Sequence, residues 1–182
     1  MYHSNQKNAM SPVKKLVLSA MFLALGLVLP FLTGQIPEIG SMLLPMHIPV
    51  LLCGMIVGGP WGCAVGFICP LLRSFLFSMP PLYPVAISMA FELAAYGLAS
   101  GIFYQRLRSR GTSGIYISLI AAMLLGRIVW GISRWIMMAF GTKFSIALFI
   151  AGGFTGAVPG IILQLILIPV VLIALKKAKL IA

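Results

Sequence analysis

Acidic residues are nearly absent: Glu38 and Glu92 are the only two in 182 positions. There are two histidines and three cysteines (Cys53, Cys63 and Cys69), with no Cys-x-x-Cys pair. These shortages exclude a zinc or haem centre built from clustered ligands, so no metal and no cofactor is expected. No G-x-x-x-x-G-K-[ST] loop occurs, so this chain does not itself hydrolyse ATP. Charged residues make up 8% of the chain, against roughly a quarter in a soluble domain. Long linkers, low-complexity tracts and a convincing internal repeat are also missing, which argues against an inverted-repeat carrier folded from one polypeptide.

What is present is apolar. Hydrophobic residues make up 61% of the chain, in stretches that approach or exceed the ~18–20 residues needed to cross a bilayer. The expected class is an all-α integral membrane protein, a single transmembrane domain over 1–182 with a short cytoplasmic tail at 1–13. The cysteines all lie in apolar surroundings and read as small buried side chains. A net charge of +11 suggests nucleic acid at first sight. The cations fall in short clusters beside apolar runs, however, which is the pattern of a topology signal, and no nucleic-acid partner is expected.

The apolar pattern predicts six spans, at about 14–34, 43–58, 60–78, 85–104 and 115–139 and a last one ending at KKAK. GQIPEIGSM (34–42) reads as a Pro/Gly-punctuated loop, GGPWG (58–62) as a tight turn and MPPLYP (79–84) as a rigid connection. The second span is short and interrupted by proline, hence a candidate for a partly re-entrant segment. The basic flank with Lys7, Lys14 and Lys15 followed by LVLSAMFLALGLVLPFL has the look of a signal peptide. The length of the run and the spans behind it favour a retained first helix. Six spans place Lys14/Lys15, Arg106/Arg108/Arg110 and Lys176/Lys177/Lys179 on one side, leaving Lys143 and Glu38 on the other. By the positive-inside rule both termini are then cytoplasmic. Small residues recur four apart, as in Ala20/Ala24, Gly62/Gly66, Ala90/Ala94, Gly97/Gly101 and Gly152/Gly156/Gly160, and such ridges let helices approach closely in lipid.

Four ionisable residues fall inside these spans: Arg73, Glu92, Arg127 and Arg134. A charge at mid-membrane costs about 2.5–3.5 kcal/mol even on insertion scales, so such residues face the interior or a wet cavity. At ~1.5 Å per residue, Arg73, Glu92 and Arg134 lie roughly 7–12 Å below the outer ends and Arg127 about 18 Å. Arg127, Trp130 and Arg134 share one helical stripe, and Ser88, Glu92 and Tyr96 another. One carboxylate does not neutralise three guanidinium groups. The expectation is therefore an outward-facing site for an anionic ligand, with Trp130 and Tyr96 against its organic body. His47 and Gln164 are further candidates for that cavity. The competing readings are an internal Glu92–arginine salt bridge, water access around Arg73 or Arg134, a helix-end role for His47 and a packing role for Gln164.

With these features in view, the chain resembles the substrate-binding S-components of energy-coupling factor (ECF) transporters. The resemblance rests on KKLVLSAMFLALGLVL, with its Ala20-x-x-x-Ala24 ridge, and on LPMHIPVLLCGMIVGGPWGCAVGFICPLLRSFLF (44–77), in the order and spacing of that family. It covers about residues 14–179. It implies a six-helix binding subunit in the bacterial plasma membrane that captures a vitamin or related micronutrient and is not itself an enzyme. It also implies a transmembrane T-component and two ATPase subunits as partners, docked through Ala20 and Ala24. Riboflavin-type members carry an acidic stretch where this chain has PMHIPV, and three arginines favour a carboxylate such as pantothenate. Riboflavin is the alternative within the class. Outside it, a small membrane enzyme acting on lipid headgroups and a structural or assembly subunit compete. The enzyme reading has little to draw on, since no serine–histidine or metal constellation is legible.

Overall fold

A computed structural model describes residues 10–33, 36–141 and 145–181. Lys7, Lys143 and the ends of two connections, Gly34–Gln35 and Thr142–Phe144, lie outside the described residues. The described chain is helical, in the order α1 (Pro12–Val28), α2 (Pro37–Leu43), α3 (His47–Ile56), α4 (Gly59–Phe77), α5 (Ile87–Leu107), α6 (Thr112–Met138), α7 (Ile146–Ile150) and α8 (Val158–Lys177). Five helical stretches among the described residues are long and apolar enough to cross a membrane.

The boundaries follow local chemistry. Ser11 caps α1, accepting a hydrogen bond from the Lys14 backbone N–H, with Pro12 as the first helical residue, where no N–H is needed. At the other end Pro30 has no N–H to offer, and the chain tightens into a 3₁₀ turn over Leu29–Thr33. The stretch expected to be a loop at 34–42 instead holds α2. Pro37 begins it and Glu38 sits in its first turn, both of which suit a helix start. The expected rigid connection after α4 becomes a π-helical turn over Leu82–Ala86 that runs into α5. Tyr83 ties it to the far end of α6, its hydroxyl 3.3 Å from the Met137 carbonyl and 3.2 Å from that of Phe140.

The expected second span is shorter than predicted. α3 has ten residues, about 15 Å of helix against ~30 Å of hydrocarbon. Every residue from His47 to Met55 is buried, so protein and not lipid surrounds it. It packs against α1, α4, α5 and α8, and α5 in turn lies against α3, α4 and α6. Glycines make this close packing possible. An ideal Cβ built on Gly97 would lie 2.2 Å from the Gly62 carbonyl carbon, and one on Gly54 2.2 Å from the Gly97 oxygen. No side chain fits where α3, α4 and α5 meet, so the ridges at Gly62/Gly66 and Gly97/Gly101 are internal seams. Ala20 and Ala24, by contrast, lie on the exposed face of α1, among Leu16, Val17, Met21 and Val28.

Candidate binding site

One end of the bundle holds a cavity of about 600 Å³. Its wall takes Pro30 from the end of α1, Glu38 from α2, His47 from the start of α3 and Arg73 from α4. Glu92 comes from α5, Arg127 and Trp130 from α6, and Gly152 from the link into α8. The rest is largely apolar: Met46, Met79 and Met89, with Pro80, Pro81 and Val85. The basic ends of α5 and α8 meet at the other end of the bundle, where the Lys176 ammonium lies 5.3 Å from the centre of the Tyr104 ring.

Of the residues expected to form a site, His47, Arg73, Glu92, Arg127 and Trp130 line this cavity, whereas Tyr96, Arg134 and Gln164 are not in its wall. Tyr96 is wedged between α5 and α6. An ideal Cβ on Gly126 would come within 2.5 Å of its ring, so only glycine leaves room for it there. Its ring also meets the His47 ring edge-on, 5.1 Å between centroids, which places it behind the wall. Gln164 belongs to the α8 row Gly160, Gln164, Ile168 and Leu172, which is buried against the bundle, with Gly160 on the Met42 and Leu43 backbone. Its side-chain amide is buried and meets no hydrogen-bond partner among the described residues. Arg134 lies seven residues beyond Arg127 on α6, roughly 10 Å farther along the helix, half-buried and engaged by other groups of the chain.

The three arginines therefore do not form one cluster. Arg73 is buried, its guanidinium 4.8 Å from the Phe31 ring centre and 5.3 Å from that of Phe77, and it donates to the Leu27 carbonyl. Leu27 is in the last turn of α1, where carbonyls lack helical partners and the helix dipole favours a cation. Helix end and aromatic faces together compensate this charge. A surplus of positive charge, inferred by counting, is thus largely dispersed within the fold.

Arg127 is different. Its Nη1 donates to Glu92 Oε1 at 2.7 Å, and Glu92 is 2% exposed. The same carboxylate oxygen lies 3.5 Å from His47 Nε2. Arg127 Nε and Nη2 and His47 Nδ1 are buried and find no hydrogen-bond partner among the described residues. Nε and Nη2 form the side-on edge of the guanidinium, the edge that meets a carboxylate with two parallel bonds. The ion pair foreseen as an alternative is therefore present, and it leaves that edge of Arg127 unused.

Reasoning from charge missed the apolar wall, since methionine and proline carry no charge to mark them. The signal was there in LLPMHIP and FSMPPLYP, where methionines adjoin prolines at helix ends. Flexible thioethers shape themselves to an organic body, and the prolines hold the rim.

The family model of the ECF transporter substrate-specific component matches residues 14–172, most of the chain. The chain belongs to this family. It is therefore a substrate-binding subunit of an ECF transporter and not an enzyme, which removes the lipid-headgroup reading. No curated protein and no solved structure gives a significant match.

Proposed function

We propose that this S-component binds a small carboxylate-bearing micronutrient with an apolar body in the cavity between α1–α2, α3–α6 and the α7–α8 link. The observation that carries the reading is the side-on edge of Arg127. It is buried in a residue of the cavity wall that Glu92 fixes through Nη1, and it meets no hydrogen-bond partner among the described residues. Buried charged donors without acceptors cost upwards of about 1–3 kcal/mol each, and a ligand carboxylate removes that cost. Trp130, stacked on Phe149 at 5.9 Å, and the methionines offer a wall for the rest of the molecule.

The cavity opens to the cell exterior in this reading. It lies at the end of the bundle away from Lys14/Lys15, Arg106/Arg108/Arg110 and Lys176/Lys177/Lys179, and such basic ends stay in the cytoplasm. The chain then passes six times with both termini inside a bacterial plasma membrane, α3 and its flanks counting as the incomplete second pass. Family membership implies a T-component and two ATPase subunits, and the exposed Ala20/Ala24 ridge is the proposed dock. Pantothenate is one compound that fits these requirements.

Matched pairs of compounds test the anion reading. Thermal shift and titration calorimetry of the purified protein with pantothenate against pantothenol, and nicotinate against nicotinamide, should favour the acid by tenfold or more in at least one pair. Neutral analogues that bind as well as the acids would remove the anion site. Mass spectrometry of the molecule that co-purifies with the protein would then identify the true chemistry.

A further inference from the structure

We propose that His47 takes up a proton when a carboxylate enters this site, so that anion and proton are bound together; the inference rests on the carboxylate reading above. The starting point is charge. Among the described residues, the ionised groups of the cavity wall are Glu38 from α2, Arg73 from α4, Glu92 from α5 and Arg127 from α6. Two cations and two anions cancel while His47 is neutral. The titratable Tyr96 of α5 faces the His47 ring from behind, and α1 and α8 place no ionisable group in the wall. A ligand carboxylate therefore brings a net negative charge into a mostly apolar space, where uncompensated charge is costly. One proton restores neutrality.

Geometry selects the acceptor. His47 is 1% exposed, and its Nε2 faces Glu92 Oε1 at 3.5 Å. An ionised carboxylate only accepts hydrogen bonds, so Nε2 carries the hydrogen, and in the neutral ring Nδ1 keeps its lone pair. Nδ1 is buried and meets no partner among the described residues. A proton arriving from solvent forms an N–H bond at Nδ1, breaks no bond in the protein, and creates a donor for an oxygen of the ligand. Glu92 is the less suitable acceptor, because it already accepts from Arg127 and faces His47. His47 is the first residue of α3, and the helix dipole there opposes a charged ring while stabilising the incoming anion. Imidazole is also the side chain whose charge ordinarily changes near neutral pH.

Calorimetry with the same four probes decides the matter. At about pH 8 the enthalpy of pantothenate or nicotinate binding should differ between phosphate and Tris by the amount expected for close to one proton taken up. The acid's affinity should fall as pH rises, by up to about tenfold per pH unit, the slope for one linked proton. The neutral analogues should show neither effect. His47→Gln should abolish both the uptake and the pH slope. An acid that is preferred over its neutral partner yet binds without uptake overturns this proposal alone. Undiminished uptake in His47→Gln also overturns it, because the proton then resides elsewhere. Acids that bind no better than their neutral partners, or no binding by any of the four, overturn the carboxylate reading and this one with it.

Discussion

Replacing Arg127 by methionine removes a charge while keeping a long side chain, and the structure sets the size of the effect. Glu92, 2% exposed, loses its 2.7 Å partner and among the described residues retains only His47 Nε2 at 3.5 Å. Breaking a buried ion pair by deleting one member costs about 3–5 kcal/mol, because the remaining charge is uncompensated. His47 Nε2 still faces the carboxylate, so the low end of that range, about 3 kcal/mol, is expected. Adding Glu92→Gln removes the stranded charge, and the double variant should recover most of the loss, to within about 1–2 kcal/mol of wild type. Unfolding in SDS–bicelle mixtures measures all the members of this cycle. Coupling in such a cycle between residues in contact is typically 0.5–3 kcal/mol, and a value near the top of that range is expected here. Binding separates the two roles of Arg127: the double variant should be stable and yet fail to hold the acid probes. If Arg127→Met lies within about 1 kcal/mol of wild type, or the double variant is no more stable than the single, the pair does not carry the charge balance described above.

How much of this was legible in the sequence depended on whether one segment or several decided the outcome. Long apolar runs report on themselves, and the helices α1, α4, α5, α6 and α8 fall where hydropathy places them. α3 was half legible: the prolines of LPMHIPV foretold a short helix, but its complete burial depends on four neighbouring helices. α2 was hidden by the helix-breaking reputation of proline and glycine, although Pro37 and Glu38 are good first-turn residues and could have revealed it. The four intramembrane charges were legible as charges, and a Glu92–arginine pair as one alternative, but which arginine was not. Glu92 meets Arg127 because α5 and α6 pack side by side. Arg73 is satisfied by a carbonyl that is available only because α1 ends near Pro30. A count of charges along the chain contains neither contact. It therefore called for an external anion without saying at which arginine; among the described residues the geometry leaves a guanidinium edge unpartnered at Arg127.

Two seams of small residues make opposite predictions. Ala20→Leu with Ala24→Leu enlarges the exposed face of α1 and touches no buried contact, so stability and probe binding should persist while uptake by the assembled transporter in vesicles is lost; normal uptake would remove the docking role. Gly97→Ala acts in the interior. The added methyl would lie 2.2 Å from both the carbon and the oxygen of the Gly62 carbonyl and 2.9 Å from the Cys63 nitrogen. These are backbone atoms near the start of α4, which no rotamer change can move aside, so α4 and α5 must separate along the seam that also holds α3. Overpacking of this kind costs about 1–3 kcal/mol or more, and the loss should appear in SDS unfolding without any ligand present. Since Glu92 lies on α5 only five residues before Gly97, separation there also shifts the carboxylate that holds Arg127. Weaker binding of the acid probes should therefore accompany the loss of stability, whereas wild-type stability in Gly97→Ala would mean that α4 and α5 do not cross backbone to backbone.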